Sequence, residues 1–190
     1  MDDPSFDFLK SKFHVTKKTY KVLQDLAKRR KLLSGESIVE QGNKSNNVAF
    51  LTSGLMRAYS TLESGKEITK NIFVPISFVG PFSSILKDKP SLFCYEALVD
   101  STIFEIDFHE FIKISRANID ISNLYNRILE SVYVLYEAKQ LETAALDATQ
   151  RYLQLKRRIP NIENLIPQYQ IASYLNISPV QLSRIRKTLK

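Results

Sequence analysis

Three patterns of apolar and polar positions succeed one another along the chain. Residues 5–30 carry apolar side chains at helical spacing, with Phe6, Phe8, Leu9 and Phe13 in one group and Tyr20, Val22, Leu23, Leu26 and Ala27 in another. This predicts helical structure that caps a sheet, with the run Lys28, Arg29, Arg30 and Lys31 as a solvated helix end. From about residue 32 to residue 107 the chain changes to short runs rich in β-branched and aromatic residues, at 37–40, 48–52, 55–62, 66–73, 91–99 and 102–106. All five glycines fall in this window, between the runs. Short strands punctuated in this way predict an antiparallel barrel or jelly roll. The sharpest hairpin turn is Glu63-Ser64-Gly65-Lys66, with Gly65 where a positive φ is needed.

Helical spacing then returns. Residues 107–116 fit a short helix, and Asn118 or Asp120 can cap a longer one of about 26 residues, roughly 40 Å. Its apolar stripe is wider than one packing partner requires. One side should lie on the barrel and the other on a second copy, so Ile121, Leu124, Tyr125, Ile128, Val132 and Leu135 are the expected dimerisation residues. A purely intramolecular core helix is the competing reading. Asp147, with Gln150 three residues on, forms a capping box that breaks the helix and marks a hinge. A helix to about Arg157 and a loop over 160–164 follow.

The last stretch, 168–189, holds two short apolar sets, Ile171, Ala172 and Leu175, then Leu182, Ile185 and Leu189. Pro167 fits the first turn of the first helix, Asn176 tolerates the left-handed conformation of a tight reversal, Ser178 can cap the second helix and Pro179 can begin it. With Leu182, Ile185 and Leu189 buried, the opposite face carries Val180, Arg184 and Lys187, flanked by Ser183. This is the layout of a helix-turn-helix with its recognition helix last, and a small helical hairpin with a solvated basic face is the bland alternative.

Charge favours the first reading. Of 27 basic and 20 acidic residues, residues 151–190 hold eight basic side chains against Glu163 alone, a net +7, while the rest of the chain is neutral. Positive charge concentrated beside a groove-sized helix implies a polyanion partner. Cys94 is the only cysteine, which excludes an intrachain disulfide and a four-cysteine cluster, and it reads as a small core residue. His14 and His109 belong to no ligand motif. There is no phosphate loop, nucleophile elbow or histidine–carboxylate iron set, so no catalytic residue, metal or cofactor is expected. No run approaches the roughly 18 apolar residues of a membrane span, and the acidic start is unlike a signal peptide, which points to the cytoplasm and to no membrane partner.

Barrel, long helix, capped hinge and terminal helix-turn-helix, in that order, resemble the CRP/FNR superfamily of bacterial transcription regulators. The marks are Gly54-Leu55-Met56-Arg57-Ala58-Tyr59, the hairpin from Glu63 to Thr69, Leu146-Asp147-Ala148-Thr149-Gln150-Arg151, and residues 178–184. The resemblance implies an α+β fold: an N-terminal antiparallel, jelly-roll-like β-roll sensor domain over 1–118, a dimerisation helix over 119–146 and an all-α helix-turn-helix domain over 147–190. It implies a homodimer on double-stranded DNA with a palindromic operator, contacted by Gln168, Ser178, Pro179, Val180, Gln181, Ser183, Arg184, Arg186 and Lys187. Arg184 matches the family's recognition-helix arginine, and Val180 stands where many members carry an acidic residue, so the operator should differ. RNA polymerase becomes a partner if the protein activates transcription. The end at Lys190 leaves no room for the closing wing strand of some members.

The nucleotide cassette of the family departs most. It reads Val79-Gly80-Pro81-Phe82-Ser83-Ser84-Ile85, with Pro81 at the ribose-binding Glu position and no arginine from residue 72 to residue 97. Cyclic AMP binding in the family's usual way is therefore not expected, since a buried phosphate needs a guanidinium. A degenerate pocket of Phe73, Phe78, Gly80, Phe82, Ser83, Ser84, Ser91 and Tyr95 would hold an unknown small-molecule effector or none, and the balance favours a barrel kept as scaffold. The rival function is a ligand-binding or protein-interaction module whose helical hairpin does not bind DNA.

Overall fold

The computed structural model describes residues 4–189. Residues 1–3 of the acidic start and Lys190 lie outside them. The chain opens with two helices, α1 (Pro4–Phe13) and α2 (Lys17–Leu26), where the sequence pattern predicts helical structure to residue 30. Thr16 makes the break: its side chain accepts the N–H of Thr19 and caps α2. The basic run is not a helix end but strand β1 (Lys28–Leu32), four exposed residues and a buried Leu32. Charge along an edge strand blunts pairing with other chains, which explains why its pattern does not look like a strand.

The strands β2 (Ser37–Val39), β3 (Asn47–Ser53), β4 (Met56–Thr61), β5 (Glu67–Phe73), β6 (Ser77–Val79), β7 (Cys94–Ala97) and β8 (Ser101–Asp107) complete the roll, with a short helix α3 (Phe82–Leu86) after β6. They form two antiparallel four-stranded sheets, β1-β8-β3-β6 and β2-β7-β4-β5. Side chains alternate across each strand, so Leu32, Ala49, Leu51, Met56, Ala58, Val79, Tyr95, Ala97 and Ile103 fill the space between the sheets. Gly65 has φ +78 at the β4–β5 turn, as its position required. Gly54 is fixed by both conformation and space, since at φ +94 an added Cβ would lie 2.1 Å from Ser101 Oγ.

Asp107 caps α4 (Phe108–Ala117) and Asn118 caps the 27-residue α5 (Ile119–Ala145). The helix stops at Leu146, where Asp147 and Gln150 make the complete capping box and α6 (Ala148–Arg158) begins. The expected loop contains a short helical turn, α7 (Ile162–Leu165), entered through Asn161 in the left-handed conformation. The last elements are α8 (Gln168–Tyr174) and α9 (Pro179–Thr188). Tyr152, Leu155, Ile162, Ile171, Leu175 and Leu182 make the core of this part, which also takes in Leu55, Ile72 and Leu98 of the roll.

Candidate nucleic-acid interface

The turn between α8 and α9 follows its local chemistry. Asn176 takes φ +53, the Ser178 side chain accepts the N–H of Gln181, and Pro179 is the first residue of α9. Pro167 lies one residue outside α8, as its N-cap rather than in its first turn. Leu182 is fully buried and Ile185 half-buried against α8, which seats α9. Leu189, expected in the same stripe, is 44% exposed because the core ends one turn earlier.

The exposed face of α9 carries Val180, Gln181, Ser183, Arg184 and Lys187, with Ser178 and Pro179 exposed at its start and Gln168 exposed at the start of α8. Arg186 departs from the expected set. It is half-buried, and its guanidinium lies beside the Tyr152 phenol inside the domain. Other cations of the basic segment are also engaged within the chain. Arg151 donates to the carbonyls of Leu146 and Leu175, pinning the hinge to the end of α8. Lys156 pairs with Glu163 at 3.1 Å, and Arg158 donates to the Tyr174 hydroxyl at 3.0 Å. Lys156, Arg157, Arg158, Arg184 and Lys187 are the exposed cations of this part among the described residues, and of these Lys156 and Arg158 have the partners just named. The local +7 is thus partly internal scaffolding, which charge counting could not distinguish.

A contact that sequence reasoning missed places the helix-turn-helix on the roll. Helix α8 packs on β5, an edge strand of its sheet. The Ser173 hydroxyl accepts the N–H of Thr69 at 2.8 Å and donates to the carbonyl of Glu67 at 3.0 Å. Tyr174 sits between the Lys139 ammonium, 4.4 Å from its ring centre, and the Arg158 guanidinium. On the outer face of the same sheet Arg57, 2% exposed, reaches Glu67 at 2.6 Å and Glu96 at 3.3 Å and stacks 3.7 Å from the Tyr59 ring centre.

The six expected dimerisation residues divide into two groups. Ile121, Leu124 and Ile128 are buried against the roll and the N-terminal helices, and the Tyr125 ring packs edge-on to Phe108 and Phe111. These four serve the protomer's own core, a correction to the proposed seam. Val132 and Leu135 are exposed, and so are Tyr133, Val134, Tyr136 and Leu141 beyond them, because the roll ends before the helix does.

The expected ligand residues do not line one pocket. Phe73 and Tyr95 face each other between the sheets with ring centres 6.3 Å apart, whereas Phe78 and Phe82 lie outside the first sheet. The backbone of Gly80 runs against Val48, whose Cα would be 3.2 Å from an added Cβ. Ser83 is exposed and Ser84 buried, while Ser91 is buried and donates to the Phe93 carbonyl at 2.6 Å. Cys94 is buried beside Ser37 and Glu40, and burial pushes its thiol up, away from a reactive thiolate.

Residues 29–118 match the model of the cyclic nucleotide-binding domain family. No curated protein matches the sequence. Solved structures extend the likeness over both parts of the chain. The structure of FixK2 from Bradyrhizobium japonicum superposes with a TM-score of 0.68 at 18% identity, over 86% of this chain and 84% of its own. CLP, the c-di-GMP responsive global regulator of Xanthomonas campestris, gives 0.67 at 15% identity, over 92% and 91%. A CooA mutant from Carboxydothermus hydrogenoformans gives 0.67 at 16% identity, over 99% and 84%. The chain shares the fold of these solved structures, and its roll is the part that matches the cyclic nucleotide-binding domain. Among the described residues no helix is long and apolar enough to cross a membrane.

Proposed function

We propose that this protein is a sequence-specific DNA-binding transcription regulator that acts as a homodimer on a palindromic operator. The observation that carries the reading is α9, a capped helix held by buried Leu182 and presenting Gln181, Ser183, Arg184 and Lys187 to solvent. An arginine on such a face can bridge two acceptors of a guanine edge, and lysine can neutralise a phosphate. The dimer is supported by the second half of α5, apolar around much of its surface yet exposed in the single chain. A two-fold pair would place two α9 helices in successive major grooves about 34 Å apart.

In this reading cyclic AMP is not the effector. Ser83 lies on the surface, Pro81 occupies the ribose position, and Arg57, the buried guanidinium of the roll, is already paired with Glu67 and Glu96. Titration of the purified protein with cyclic AMP in a calorimeter should give no saturable heat. The DNA reading is tested by salt: affinity for a labelled duplex should fall steeply between 50 and 200 mM salt, by about 10³-fold if six phosphates are contacted. A flat dependence would instead favour an apolar protein contact and overturn the proposal.

A further inference from the structure

We infer that the protein binds a small uncharged amphipathic molecule, with an apolar body and one neutral polar end, in a cavity between the N-terminal helices and the outer face of the first sheet. The cavity measures about 310 Å³, within the range of small-molecule sites. Cross-strand register makes its floor: Phe50 stands opposite Phe78 on one side and Phe104 on the other, a row of three rings. Leu9 and Leu23 close it from α1 and α2, and Leu124, Tyr125 and Ile128 form the wall on α5. Two apolar clusters meet around it, and Leu23 packs on both.

The chemistry of the lining selects the ligand. Among the described residues no Lys, Arg, His, Asp or Glu lines the cavity. A nucleotide, a phosphate ester or a carboxylate would be stripped of water there without a counter-charge, which costs far more than apolar contact returns. The lining side chains with a polar group are Ser5, Tyr20 and Gln24 on the two N-terminal helices, of which Gln24 is exposed, and Tyr125 on α5. The three on the N-terminal helices give the cavity a polar rim on that side, matching a hydroxyl, carbonyl or amide on the ligand. This site is separate from the interior of the roll, where Phe73 and Tyr95 lie. Its wall on α5 belongs to the same helix that carries the exposed Val132 and Leu135, so an occupant touches the element that leads to the proposed seam.

The test uses the full chain and the neutral fluorophore N-phenyl-1-naphthylamine. The protein contains no tryptophan, so Lys21→Trp places a lone donor on α2 one turn from the rim, at an exposed residue that does not line the cavity. The expected result is saturable binding of one fluorophore per chain, energy transfer from the new indole, and displacement by decanol but not by decanoate or cyclic AMP. Leu23→Trp, which fills the cavity, should weaken binding at least about tenfold with an unchanged circular dichroism spectrum. Absence of saturable binding, absence of transfer, or displacement by decanoate as strong as by decanol would each overturn the inference. So would unchanged affinity in a folded Leu23→Trp protein; if that variant does not fold, the transfer and competition results decide alone.

Discussion

Ser173 of α8 and Thr69 of β5 are joined by a hydrogen bond of 2.8 Å from the Thr69 N–H to the Ser173 hydroxyl, which in turn donates a hydrogen bond to the Glu67 carbonyl at 3.0 Å. One side chain thereby satisfies two backbone groups on the open edge of a sheet and fixes the helix-turn-helix to the roll. Glu67 also accepts from Arg57 at 2.6 Å, so the clamp is continuous with the buried ion cluster of β4. Ser173→Ala would leave both backbone groups unpaired and should cost about 1–3 kcal/mol of stability. Hydrogen exchange is the direct reading: the Thr69 amide should exchange faster in the variant, and equal rates would mean that the clamp does not hold the domain.

Arg184 is exposed in the middle of α9. Arg184→Ala should weaken binding to the selected operator by about 1–3 kcal/mol and relax preference at one base position. Lys187→Ala should weaken all duplexes alike and lower the salt slope by about one. Identical sequence preferences for Arg184→Ala and wild type would remove Arg184 from base readout.

Tyr152, 1% exposed, donates its hydroxyl to Glu163. That hydrogen bond, followed by the pairing with Lys156, holds the Glu163 carboxyl below the usual range, and burial with the same bond pushes Tyr152 up to about 12. The lowered Glu163 contributes stability that is complete above the unfolded carboxylate value, about 4.3, and is lost as pH falls through its own lowered value. The raised Tyr152 contributes stability that is present below the unfolded phenol value, about 10, and is lost as pH rises toward 12. Thermal melts across pH should show a flatter acid limb for Glu163→Gln and a flatter alkaline limb for Tyr152→Phe. Limbs identical to wild type would show that the pair carries no such linkage.

The proposed seam makes a prediction that separates it from an internal core. Leu135 is 62% exposed in the protomer, so Leu135→Glu should leave the fold intact and still convert dimer to monomer in sedimentation velocity. Leu124→Glu should unfold the chain, because Leu124 is 2% exposed in the protomer's own core. A dimer that survives Leu135→Glu would move the seam elsewhere.

Local chemistry was readable wherever a single segment decides the outcome. The Asp147–Gln150 box, the Asn118 cap, the Gly65 turn and the Asn176-to-Pro179 reversal each depend on residues within one turn of one another. What was not readable depends on partners distant in sequence. Strand β1 is four exposed charged residues whose extended form comes from pairing with β8, and no alternation betrays it. Helix periodicity puts Ile121 and Val132 in one stripe, but only the length of the roll decides that the first is buried and the second exposed. The aromatic residues of the expected pocket lie on opposite faces of the sheets, so their proximity in sequence misled. Arg186 and Arg184 differ by two positions on one helix, and the Tyr152 phenol, across the domain, draws in only the first.

The most direct test of the central claim is selection of bound duplexes from a randomised pool by the purified protein without added ligand. The account predicts recovery of a two-fold symmetric sequence whose half-sites are centred about one helical turn apart. A selected pool with no common sequence, or an asymmetric single half-site bound by one chain, would contradict it.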